Sequence, residues 1–133
     1  MRLLRCAGIC SFATALVGGA LLTASCGNPS GEGNGCQGTG ASVVVTAQDN
    51  LTFNPSKITI SSGQSVCWQN LGTAAHTVTA VSASPLDSSW TPDSVNAQLN
   101  PASLYLKSFG KTNTNYIYKC SIHIGMTGEI DVR

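Results

Sequence analysis

The chain has 133 residues, 10% charged and 42% hydrophobic, with seven Lys+Arg against six Asp+Glu. A chain of this length builds one core and leaves no room for a multidomain enzyme. Beyond Arg2 and Arg5 the basic residues stand singly at Lys57, Lys107, Lys111, Lys119 and Arg133, so no patch exists to neutralise several phosphates, which argues against nucleic-acid binding.

The N-terminus reads as a targeting segment. Arg2 and Arg5 precede an uncharged apolar run from Ala7 to Leu22, too short for a comfortable membrane span and laid out as a secretory signal. The run closes on Leu22-Thr23-Ala24-Ser25-Cys26, which resembles a bacterial lipoprotein box, where cleavage before the Cys leaves its thiol and amine to carry acyl chains. Thr23 stands where an aliphatic residue is usual, and an ordinary signal peptide or an uncleaved anchor are the alternatives. The expectation is removal of residues 1–25, lipidation of Cys26, and a domain outside the cytoplasm, on the periplasmic or cell-surface side of a bacterial membrane. From Gly27 to Gly40 the chain is rich in Gly, Asn and Ser with one charge at Glu32, a composition that buries too little apolar surface to order itself. Residues 26–40 are therefore expected to be a lipidated Cys with a flexible tether, and 41–133 the folded domain.

From Ser42 onward the periodicity is that of strands. Val43-Val44-Val45, Lys57 to Ile60, Val66 to Asn70, Thr77 to Val81, Leu104 to Phe109, Tyr116 to Cys120 and Gly128 to Val132 are short and rich in β-branched or aromatic residues. Turn compositions separate them, among them Asn54-Pro55-Ser56, Ser61-Ser62-Gly63 and Asn113-Thr114-Asn115. Seven to eight strands of this kind predict an all-β sandwich of Greek-key type. Ser82 to Pro101, with three prolines, reads as a long connection with room for a short helical turn.

The chemistry is concentrated in Tyr116-Ile117-Tyr118-Lys119-Cys120-Ser121-Ile122-His123-Ile124-Gly125-Met126. Strand alternation puts Tyr116, Tyr118 and Cys120 on one face, so the thiol ends a strand pointing inward. His123 and Met126 follow at intervals of three residues, and His76 stands just before another strand. Singly, a Cys reads as half a disulfide, a His as a surface residue and a Met as core filler. Together, the inward Cys, the only two His and the only Met besides the initiator are the chain's candidate donors. Two His, a Cys and a weak axial Met form the ligand set of a blue-copper electron-transfer site. A Cys-His-His set also suits tetrahedral zinc; the thioether favours copper.

These motifs resemble the cupredoxin family of type 1 copper proteins through most of residues 42–133. Phe53-x-Pro55, Gly63-x-x-Val66-x-Trp68-x-Asn70, His76-Thr77-Val78, Leu86-Asp87-Ser88, Leu99-x-Pro101 and Tyr-x-Tyr-x-Cys-x-x-His-x-x-Met occur in the family's order. The short gap between His123 and Met126 is similar to that of amicyanins. Asn115, Thr77 and Cys67 depart from the pattern, and none removes a ligand. The resemblance implies one copper ion held by His76, Cys120, His123 and Met126, with Thr77 and Asn70 as candidates for orienting the ligands. After Cys6 and Cys10 leave with the signal, Cys26 is lipidated and Cys120 binds metal, Cys36 and Cys67 remain. In an oxidising compartment they are candidates for a disulfide, the alternatives being two free thiols or an intermolecular link.

The expected function is that of a monomeric, membrane-tethered carrier passing single electrons between a redox protein donor and acceptor, and not of an enzyme, since no His is left for a catalytic metal. Ile122, Ile124 and Gly125 offer a flat apolar docking patch beside His123, small interfaces suiting rapid exchange of partners. A cell-surface copper store or chaperone is the alternative.

Overall fold

The computed structural model describes residues 35–133; the expected signal peptide, lipidation of Cys26 and tether up to residue 34 lie outside the described residues. Nine strands follow in order: β1 Val43–Gln48, β2 Thr52–Asn54, β3 Lys57–Ile60, β4 Ser65–Asn70, β5 His76–Ser84, β6 Asn96–Leu99, β7 Leu104–Ser108, β8 Thr114–Lys119 and β9 Thr127–Val132. They form two sheets, ordered β2-β1-β4-β7 and β3-β9-β8-β5-β6. β1 lies parallel to β4 and β3 to β9, while the remaining pairs are antiparallel. The protein is an all-β sandwich, as its alternating strands require.

Period-two patterning fills the space between the sheets. Val45, Ala47, Val66 and Trp68 come from one sheet, and Val78, Ala80, Tyr116, Tyr118, Ile130 and Val132 from the other. Trp68 is the hub, with ring centroids 5.4 Å from Tyr118 and 6.4 Å from Trp90.

Three features differ from the sequence-based expectation. The count rises from seven or eight strands to nine because β2 and β6 are too short, and β6 too polar, to show a period. Ser82 to Pro101 holds the single helical turn expected, its Val95 N–H donating to the Thr91 carbonyl at 2.8 Å, but is otherwise more regular: β5 runs on to Ser84 and Asn96–Leu99 pairs with its start, Leu99 opposite His76. That connection is also plugged into the core by Trp90, whose Nε1 donates to the Ile117 carbonyl at 3.0 Å, and by Val95. Lastly, Gly35 to Gly40, tether by composition, form turns on the outer face of β4, where Cys36 is bonded to Cys67 with a Cα separation of 5.9 Å. Cys67 points away from the core, as strand parity demands, yet is sealed from solvent because this segment covers it. Composition registers backbone entropy and is blind to a covalent bond formed across 31 residues.

Beneath the same connection, the buried Tyr116 hydroxyl donates to Asp87 Oδ2 at 2.7 Å. This bond, followed by those from Ser89, holds the Asp87 carboxyl below its ordinary value, while burial and then Asp87 push Tyr116 up. A depressed carboxyl adds stability above its unfolded pKa and loses it as pH falls through the folded value. Tyr116→Phe is therefore expected to cost about 1 kcal/mol near neutrality, allowing for the partial exposure of the carboxylate. The difference from wild type should shrink in acid. Urea midpoints at about pH 7 and about pH 2.5 check it; an equal loss at both would show that the bond does not depend on charge.

Candidate metal centre

The ends of two neighbouring strands build the site. His76 is the first residue of β5, and Cys120 directly follows β8, its antiparallel partner. The turn after Cys120 closes on itself: the Cys120 N–H donates to the Met126 carbonyl at 2.9 Å, and the Met126 N–H to that of His123 at 3.4 Å. Gly125 lies at φ +83°, a left-handed conformation that a residue with a side chain adopts only under strain. His123 and Met126 are thereby folded back over Cys120, and the three line one pocket.

The Nδ1 atoms of His76 and His123 lie 3.1 Å apart, and Cys120 Sγ is 3.4 Å from His123 Nδ1. All three ligand atoms fall within 4.8 Å of one another. His76, Cys120 and Met126 are buried, and His123 alone is partly exposed. Burial, then the charge of His123, lowers the pKa of His76, with the Asp49 carboxylate acting weakly in the opposite direction. His76 therefore offers a neutral nitrogen at neutral pH.

These residues fit a metal ion. Two imidazole nitrogens facing each other at 3.1 Å need a proton or a metal cation between them. Bonds of about 2.0–2.3 Å from one ion to tetrahedral N and S donors leave neighbouring donors about 3.3–3.8 Å apart, close to the 3.1 and 3.4 Å of two donor pairs here. A soft sulfur pair, Cys120 with Met126, next to two imidazoles suits copper.

Thr77 ties the two ligand loops together. Its N–H donates to Cys120 Sγ at 3.3 Å, its Oγ1 accepts from the Ser121 N–H at 2.7 Å, and the Thr77 and Ser121 hydroxyls lie 3.0 Å apart. Asn70 sits one step further out. Its Nδ2 donates to the Ala74 and Leu99 carbonyls at 2.7 and 2.9 Å and its Oδ1 accepts from the Gly72 N–H, so it shapes the turn leading to His76. Neither touches an imidazole. The buried Nε2 of His76 has no partner, while its Nδ1 faces that of His123.

Sequence reasoning missed Asp49 and Ser121. Ser121 could have been suspected from its place beside a ligand, but Asp49 has no local signal because its partners are 24 and 25 residues away. From the turn after β1, Asp49 Oδ1 accepts the N–H groups of Thr73 and Ala74 at 2.8 and 2.9 Å, and Oδ2 accepts the Thr73 hydroxyl at 3.1 Å. The Ala74 bond, then that of Thr73, depresses the Asp49 carboxyl. This clasp fixes the turn that delivers His76. Asp49→Ala is expected to keep the fold and release copper to a chelator several times faster, with Asp49→Asn intermediate. Equal release rates in all three proteins would deny the carboxylate that role.

Ile122, Ile124 and Gly125 are exposed beside His123, Ile124 completely. Leu71, 59% exposed on the turn before His76, belongs to the same end of the sandwich and was not anticipated.

Residues 40–133 match the model of a family described as copper binding proteins, plastocyanin/azurin family. Among solved structures the chain is similar to the Cu(I) form of an amicyanin variant, at 22% identity and a TM-score of 0.59 over 71% of this chain and 83% of that one. A reduced form of another amicyanin variant gives 20% identity and a TM-score of 0.59, covering 71% of this chain and 83% of the other. A purple cupredoxin from Nitrosopumilus maritimus is 20% identical with a TM-score of 0.56, covering 68% of this chain and 99% of the other. At these identities the likeness establishes the fold. No significant relative is found among curated protein sequences.

Proposed function

The chain belongs to the plastocyanin/azurin family of copper-binding proteins, and on that premise we propose that it is a membrane-tethered blue-copper carrier passing single electrons between extracytoplasmic redox proteins. His76, Cys120 and His123 would hold the ion, with the Met126 thioether as a further, weaker donor. Bound there, copper supplies a one-electron couple between Cu(II) and Cu(I). The protein's part is to keep the donors still while the charge changes, through the bonds of Thr77 to Cys120 and Ser121 and the closure of Cys120 on Met126. It works as a monomer and makes or breaks no substrate bond. Lipid on Cys26 would keep it on the outer side of a bacterial membrane.

The observation that carries the reading is the convergence of three donors within 4.8 Å at a place sealed except along His123. One exposed ligand edge gives electrons a short route, and the apolar surroundings of Ile122 and Ile124 suit brief contacts with a partner.

Copper-loaded protein is expected to show an intense visible band that one reducing equivalent bleaches and an oxidant restores with the metal retained. A colourless protein that hands its copper to an apo-acceptor without cycling would favour storage or delivery instead.

A further inference from the structure

The polypeptide joins the domain at its metal end. Gly35 backs onto the Gln69 side chain and Leu71, where β4 gives way to the turn leading to His76. The Cys36 N–H donates to Gln69 Oε1 at 2.9 Å, and the Cys36 sulfur is bonded to Cys67. The chain then runs along the outer face of β4 to Ser42, whose N–H donates at 2.9 Å to the Ser65 carbonyl at the opposite end of that strand. Only there does it turn back as β1, parallel to β4, to reach Asn70. Without the disulfide, the chain's first backbone bond to the sheet would lie at Ser42, at the end away from the ligands.

Reach makes this consequential. Nine residues separate Cys26 from Cys36, and they span at most about 33 Å. A domain of this size is itself about 30 Å across. Held at its metal end, such a domain presents that end to the surface it hangs from. Held at Ser42, it would carry the site farther away by about the length of β4, six residues or about 20 Å.

We propose that the Cys36–Cys67 bond turns the His123 edge toward the bilayer that holds the anchor, and that the partner met there is a redox protein of the same membrane, docking on Leu71, Ile122 and Ile124. The proposal rests on the lipid-anchored carrier reading above. In the encounter one electron crosses, the partner's centre and the copper changing oxidation state by one in opposite senses, and no bond or proton is exchanged.

The test uses the full lipidated chain in phosphatidylcholine vesicles containing a ferrocene-headgroup lipid as electron donor, and follows bleaching of the oxidised copper band. Two variants have tethers of equal length. Cys36→Ser with Cys67→Ser frees the chain to Ala41, and six Gly/Ser residues inserted after Ser30 match that length with the disulfide kept. Reduction by the lipid donor is expected to be several times slower in the double Ser variant than in the insertion variant, with equal rates toward soluble ferrocyanide. Equal rates toward the lipid donor overturn the orientation. If the double Ser variant fails to fold, the native protein decides alone: a headgroup dye emitting in the copper band should be quenched by the oxidised form and recover on reduction, and no change overturns the proposal. Native protein that does not sediment with vesicles refutes the anchor, and the proposal with it; protein that sediments but shows neither effect refutes the orientation alone.

Discussion

Cys120→Ser is expected to abolish the visible absorption of the copper-loaded protein and to weaken copper binding by orders of magnitude. The thiolate is the one soft anionic donor in the cluster, and its short bond to copper produces the intense charge-transfer colour. A serine hydroxyl keeps its proton and supplies neither. The loss should be chemical and not structural, because the turn is closed by backbone atoms: the Cys120 N–H still donates to the Met126 carbonyl, and Ser121 still donates to Thr77. Sulfur and oxygen differ little in the space they need there, so the denaturant midpoint of the apo-protein should stay near that of wild type. Copper titration followed by absorption and by circular dichroism measures both quantities. A variant that keeps its colour would remove Cys120 from the metal and leave the copper assignment without its main support.

The candidate donors were legible in the sequence because three of the four share one loop and strand parity alone aims Cys120 inward. His76 was a candidate as the only other His, but no local pattern places it beside Cys120; the pairing of β5 with β8 does. What stayed hidden arises between segments far apart in the chain. β6 has the sequence Asn-Ala-Gln-Leu, which carries no β-branched residue; it is a strand because β5 offers it an edge. Trp90 lies among prolines and serines and still reaches the core, since a large ring with one donor can bury itself wherever a free carbonyl such as that of Ile117 waits. Asp49 works through backbone groups, and no side-chain pattern records them.

The same division governs how firmly the site is held. The short turn fixes His123 and Met126 relative to Cys120, whereas His76 depends on contacts from elsewhere: Asp49, Asn70 and Thr77. Substitutions in those three should therefore disturb the geometry of one imidazole, while substitutions in the turn should disturb the other three donors.

Gly128→Ala should destabilise the domain more than any other single added methyl group in β9. Gly128 faces Tyr118 across the β8–β9 pair, and the tyrosine ring lies over it. A Cβ at this position would come to 2.7 Å from Tyr118 Cε1 and closer still to its Cζ and hydroxyl. The ring has no room to yield. Tyr118 is fully buried, with its centroid 4.8 Å from that of Phe53 and 5.4 Å from that of Trp68, both edge-on. Burial pushes its hydroxyl up to about 12, opposed slightly by the Trp68 side chain, and no hydrogen bond of normal geometry reaches it, so the loss will be mainly steric. Overpacking of this kind costs about 1–3 kcal/mol, read as a lower urea midpoint at unchanged slope. Removing the hydroxyl takes away one of the three closest contacts, so adding Tyr118→Phe should restore part of the loss, a non-additivity that independent sites would not show. A single variant within about 0.5 kcal/mol of wild type, or a double variant whose losses simply add, would mean that the ring can tilt away without cost.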